Sequence, residues 1–477
     1  MKNLFILILP LALLLFGCAH DSHTCKAKIM LPYISGDIAT ARSEAMDMRK
    51  NGKSADRVID ALEAGYLDFL MGDFRSARDA FVYAEQQTCE MEERAMVSAT
   101  NISKDILSNL TNPTIIEYRA KCGDQIMLHI LKALSYLGMG MPEAYDTEIF
   151  PLHQTMQDIE RKYLELFQKE SDAVRQRMNT NPNNASQVNN IIQHTPDINA
   201  MAPNTAVKNF LNPLALLMAG VARAEAQDWE NAKVDFNKLF MAMPNSIIAG
   251  QFKREVLRRE NAAIPPALSA LPELEFNQDG GNVLVVFANG RGAALLQHTV
   301  NNPICHFAIP VPKTYMECTV PTLCIVGDNK LRQTEMLSDM DGIALWQYRL
   351  GYNEMLTRTA ISTILKEGGS IAATAVTYNV VKNNSRDRFL AELAAATVYL
   401  VTDIYKQSQA IADTRSWETL PAQFQTAIIQ MPKDRRLRLS VDNQTWAEAT
   451  IPQDAKSAII YVHSVNNGQL RHIVFPK

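Results

Sequence analysis

A spacing of small residues that recurs along the chain constrains its fold more than any other feature. Between Ala64 and Ala84, Gly65 stands on a helical run. Gly72-Asp73-Phe74 breaks that run, and Ala77, Phe81 and Ala84 follow at helical intervals. This predicts two helices that touch at Gly65 and turn at Gly72. The pattern returns from Gly220 to Pro244, with Asp228-Trp229 for Asp73-Phe74, Ala232 and Phe236 for Ala77 and Phe81, and Gln227 in place of the turn glycine. A weaker third copy spans Lys132 to Ala144, its turn one residue shorter. A lone hairpin cannot bury both faces, so the copies must stack through other helices, such as one near Glu90–Leu110.

These copies resemble tetratricopeptide repeats. The resemblance implies a helical domain over 55–260 whose first helices line a concave surface for a protein or peptide, with Leu62, Tyr66 and Phe69 facing it. The same stripe also suits a solenoid core. The polar run from Asn179 to Gln187, followed by Pro196 and Pro203, reads as a long loop or mobile insertion.

Residues 261–281 contain Pro265-Pro266, Pro272 and Asp279-Gly280-Gly281 and read as a linker. Beyond them the periodicity shortens. Asn282–Ala288 is a buried-strand run, followed by strand candidates at 295–299, 304–311, 322–326, 426–430, 436–441, 445–450, 458–464 and 472–475. Helices are expected at 341–366 and 387–408, separated by Gly368-Gly369 and the polar turn at 382–385. The fold class is α+β: a helical repeat domain, then a β-sandwich-like domain over 282–477 with a helical insertion at 341–410.

The N-terminus reads as an address. Lys2 precedes an apolar run from Leu4 to Leu15, broken only by Pro10 and too short to span a bilayer. Leu15-Phe16-Gly17-Cys18 resembles a bacterial lipobox, which implies a signal peptide at 1–17 and lipidation of Cys18. Several acyl chains at about 0.8 kcal/mol per buried methylene would hold the protein on a membrane. Ala19, in place of the Asp that marks inner-membrane retention, favours the periplasmic side of an outer membrane. Residues 18–54 are expected to form a tether and a first helix.

Six cysteines remain after Cys18, and an oxidising compartment permits one or two disulfides among them. His20, His23 and Cys25 could touch a metal, but no fourth ligand has a fixed spacing, and a flexible tether reads better. His298 and His306, near Cys305, read as structural histidines. No metal or cofactor is called for. The net charge of −4 argues against a nucleic-acid partner. There is no G-x-S-x-G, H-E-x-x-H, G-x-x-x-x-G-K or G-x-G-x-x-G, so no enzyme activity is assigned.

The most distinctive segment is Ala412–Pro421. Asp413, Arg415 and Trp417 suit a recognition site, because guanidinium and indole groups are good anchors. The alternative is structural, with Arg415 paired to an acid and bonded to backbone carbonyls while Trp417 fills the core. Together with Cys18, Tyr66–Ala84, Leu131–Ala144, Asn282–Gly290 and Asp339–Ile343, this segment is similar to a group of bacterial lipoproteins with tetratricopeptide-like N-terminal halves. Some of their genes lie near those of lipoproteins that stimulate peptidoglycan synthases, which implies a role in envelope assembly. The function expected is a lipid-anchored envelope adaptor that binds a protein or peptide partner through its repeats. The alternatives are an envelope enzyme or a glycan-binding protein with its site in the C-terminal domain.

Overall fold

Small residues decide where the helices meet. The computed structural model describes residues 22–97, 114, 116–179, 188–189, 191–193, 195–202, 210–277, 279–301, 306–385, 395, 410–441, 445–466 and 469–477. The helical half comprises α1 (Ser22–Ile34), α2 (Ile38–Asn51), α3 (Arg57–Leu70), α4 (Phe74–Val97) and α5 (Cys122–Gly138). It continues with α6 (Pro142–Ile149), α7 (Leu152–Asn179), α8 (Pro213–Glu225), α9 (Trp229–Ala242) and α10 (Ile247–Arg259). Helices α3–α4, α5–α6 and α8–α9 are hairpins at the three sequence copies. A Cβ on Gly65 would lie 2.9 Å from the Phe81 ring, and one on Gly220 2.5 Å from Phe236, so only glycine permits either contact. The turns need a left-handed residue: Gly72 has φ +79° and Gly140 φ +71°. Gln227 takes the same conformation, at φ 64°.

The strands are β1 (Asn282–Asn289), β2 (Arg291–Asn301), β3 (His306–Tyr315), β4 (Cys324–Gly327), β5 (Lys330–Gln333) and β6 (Glu335–Asp339). After α11 (Met340–Ser385) come β7 (Gln423–Gln430), β8 (Arg436–Val441), β9 (Thr445–Thr450), β10 (Ala458–Ser464) and β11 (Arg471–Pro476). They form a five-stranded sheet β11-β10-β1-β7-β6, a four-stranded sheet β5-β4-β8-β9 and the hairpin β2-β3. In the larger sheet β1 pairs parallel with β10 and antiparallel with β7.

Strand periodicity explains the layering. Leu284, Val286 and Ala288 on one face of β1 join Ile459, Tyr461 and Phe475 in a core shared with the helices. Val283, Val285 and Phe287 on the other face meet Leu323, Ile325, Leu437 and Leu439 of the smaller sheet's side. The central strands are buried on both faces, so they read as continuous apolar runs. The chain is thus mixed α/β, with helices mainly N-terminal and sheets C-terminal, and the strands among the described residues close no barrel.

Several expectations are corrected. Residues from 22 onward are not a tether: α1 begins at Ser22 and buries Ile29, Met30 and Tyr33. Gly368-Gly369 does not end a helix, for α11 runs through it. Glycine weakens a helix by about 1 kcal/mol but keeps its N–H, unlike proline. The expected second helix at 387–408 lies outside the described residues, except for helical residue 395. Part of the polar insertion is packed, since Val188 and Ile191 join Phe307, Tyr352 and Leu356 in a separate core. The linker is a strap on α10, where Arg254 donates to the carbonyls of Leu271 and Pro272, each at 2.7 Å. Strands β5 and β6 were missed because short polar segments such as Lys330–Gln333 carry no alternation. Cys89, Cys122, Cys318 and Cys324 are free thiols, so the expected disulfides are not found among the described residues.

Candidate functional site

The expected concave face is occupied by the chain's own sheet. Leu62, Tyr66 and Phe69 on α3 are all 0% exposed. The Tyr66 hydroxyl meets that of Tyr461 on β10 at 2.9 Å. Phe69 packs edge-on to Tyr461 at 5.1 Å and stacks on Phe475 of β11 at 5.9 Å. These side chains join one layer to another and offer no open surface to a partner.

The contact continues as a polar seam. Glu63, one turn before Tyr66, accepts from the backbone N–H groups of Glu418 and Thr419 at 2.9 and 3.2 Å, and from the Thr419 hydroxyl. The Lys26 ammonium of α1 lies 3.4 Å from Glu63 and donates to the Ser416 carbonyl. Burial pushes the Glu63 carboxyl upward, while Lys26 and the donated bonds pull it back. Asp60 is pushed up to about 7, by burial and then by Asp56. Tyr33 donates to the Thr419 carbonyl at 2.6 Å and meets His463 Nε2 at 3.0 Å. Burial lowers His463 to about 3, so its imidazole is neutral. With the Tyr33 proton committed to Thr419, His463 Nε2 carries the hydrogen that Tyr33 accepts.

Asp413, Arg415 and Trp417 come together at the end of this seam, in structural roles. Arg415 is 3% exposed and makes a two-pronged contact with Asp413, at 2.8 and 2.7 Å. Its third nitrogen donates to Asp56 at 3.0 Å and to the Ile116 carbonyl at 2.8 Å. The carboxylates and hydrogen bonds hold its guanidinium charged despite burial. Trp417 is buried against Tyr66 and Phe81, and its Nε1 donates to the Thr419 hydroxyl at 3.1 Å. The recognition reading of Arg415 and Trp417 is therefore corrected: neither presents a free face. Cys18 and His20 lie outside the described residues, as do the side chains of His23 and Cys25. Among the described residues no three His, Cys, Asp or Glu converge as metal ligands.

An open surface occurs instead at the far end of the helical array. Helix α10 and the strap beside it bound a groove of about 400 Å³, lined by Phe240, Pro244, Lys253, Leu257, Pro265 and Leu268 among others. Glu335, just before Met336 on β6, fixes the start of α10 by accepting from Ser246 Oγ at 2.6 Å and Ile248 N at 2.8 Å. Met241 and Ile247, next in sequence to the lining residues Phe240 and Ser246, are 80% and 47% exposed. Sequence reasoning missed this groove because the strap's proline run reads as a plain linker. The proximity of Pro265 and Leu268 to α10 is set by Arg254, 14 residues from Leu268 in sequence.

No known protein family, curated protein or solved structure matches this chain.

Proposed function

We propose that the protein is a lipid-anchored envelope adaptor, held through Cys18 on the periplasmic side of an outer membrane and binding a protein or peptide partner in envelope assembly. The observation that supports it best is the groove beside α10, whose lining includes Phe240, Leu257 and Leu268, with exposed Met241 and Ile247 next in sequence to its lining residues. An extended partner segment with apolar side chains suits its floor, and Lys253 suits an acidic flank. In this reading the hairpins are tetratricopeptide-like and the two facing sheets sandwich-like, but the occupant of the concave face is intramolecular. Photo-crosslinking in cells tests it. A reactive side chain at Leu257 gives a discrete adduct with one envelope protein, and Ala267→Glu, a charge placed in the groove lining, abolishes that adduct. Adducts at exposed positions elsewhere, with none at Leu257, reject the groove.

A further inference from the structure

Among the described residues, the seam between α3 and the 413–419 segment leaves one buried carboxyl without a hydrogen-bond donor. That carboxyl is Asp60, 4% exposed. It stands on one stripe with Asp56 and Glu63 at the start of α3, so its neighbours on its own helix are acids. The two cations that face it, Lys26 and Arg415, are already committed. Lys26 of α1 serves Glu63 and the Ser416 carbonyl. Arg415 serves Asp413 with two nitrogens and Asp56 with the third. Behind Arg415, Lys121 faces Asp124 and Asp413, and its Nζ donates to the Arg415 carbonyl at 3.5 Å. The Glu418 carboxylate pairs with Arg291, at 3.4 Å.

Another side of Asp60 is closed by backbone. A Cβ placed on Gly52 would lie 2.7 Å from Asp60 Oδ2, so the chain after α2 lies directly against the carboxyl. The Gly52 N–H is committed to the Met48 carbonyl, at 2.6 Å. Ionised, Asp60 is a buried anion between two acids; protonated, it brings no charge into the seam. Burial first, and then Asp56, push its carboxyl up to about 7, with Glu63 acting in the same direction and Lys26 and Arg415 opposing. The effect reaches the joint through Glu63, one turn further along α3, which holds the Glu418 and Thr419 N–H groups.

We propose that Asp60 is a proton-dependent latch between α3 and the 413–419 segment: the joint is tight while this carboxyl holds a proton and loosens when the proton leaves. The latch depends on neither the anchor nor the groove. An unfolded aspartate gives up its proton near about pH 4, well before the folded Asp60 does. Between those two points the folded chain holds one proton more than the unfolded chain. Stability therefore falls as pH rises, by about tenfold in the unfolding equilibrium constant per pH unit. Above about pH 7 both states are ionised at this residue and the dependence ends.

Urea unfolding of the full chain and of Asp60→Asn, repeated in steps from about pH 4 to about pH 8, tests the latch. Asparagine keeps the shape of the protonated side chain and cannot ionise. The stability gap between variant and parent should widen in the variant's favour up to about pH 7 and stay constant above it. Other buried acids, such as Asp341, titrate in both proteins and cancel in the difference. A gap that does not widen in the variant's favour overturns the proposal. Amide exchange of the 413–420 peptide, corrected for the intrinsic effect of pH, reads the joint itself. In the parent it should quicken by about tenfold between about pH 6 and about pH 8, and in Asp60→Asn it should not. Flat exchange in the parent sinks the latch whether or not the variant folds.

Discussion

Glu63 holds three donors and an ammonium in a place no solvent reaches, so its neighbours depend on its charge. Glu63→Gln removes the carboxylate paired with the buried Lys26 ammonium. The expected cost is about 3–5 kcal/mol, read as a lower urea midpoint. Adding Lys26→Met should recover part of the loss, because the two residues form one network. A loss below about 1 kcal/mol would mean that water reaches the seam. The structural alternative for Arg415 and Trp417 was legible, since an arginine beside Asp413 in a helix–strand junction has its partner in the sequence. Lys26, Glu63 and His463 were not legible as its continuation. Lys26 and Glu63 bond the 416–419 segment, and His463 bonds Tyr33, across more than 350 positions, and no local pattern records such a distance.

At the scale of elements, the hairpins follow from where side chains are missing. Gly220 faces Phe236, which is stacked on Phe252 at 4.1 Å and has nowhere to move. Gly220→Ala is therefore expected to destabilise the chain by about 1–3 kcal/mol despite the better helix propensity of alanine. Thermal unfolding followed by circular dichroism checks the sign, and a higher melting temperature would refute the close contact. The helical turns were readable because a glycine at the turn marks a left-handed backbone. The continuity of α11 through Gly368-Gly369 was not, since glycine is compatible with both a helix and a break. The burial of Val188 and Ile191 was hidden by the polarity of the residues around them.

At the scale of the molecule, the boundary drawn at 261–281 does not divide the core. Tyr66 and Phe69 are covered by Tyr461 of β10 and Phe475 of β11 together with Trp417. Residues 22–277 expressed alone are expected to bind a hydrophobic dye and melt broadly, while the full chain melts in one transition with coincident circular dichroism and tryptophan fluorescence. A sharp, dye-free transition for 22–277 would show that the helical half is self-sufficient. The order of elements, the three hairpins and most strands were determined by the sequence itself, because period, glycine position and apolar runs are local properties of a chain. What covers the concave helices was decided by tertiary structure. An apolar stripe on α3 states only that something must exclude water from it. Whether that is a partner or the chain's own sheet depends on contacts between residues nearly 400 positions apart.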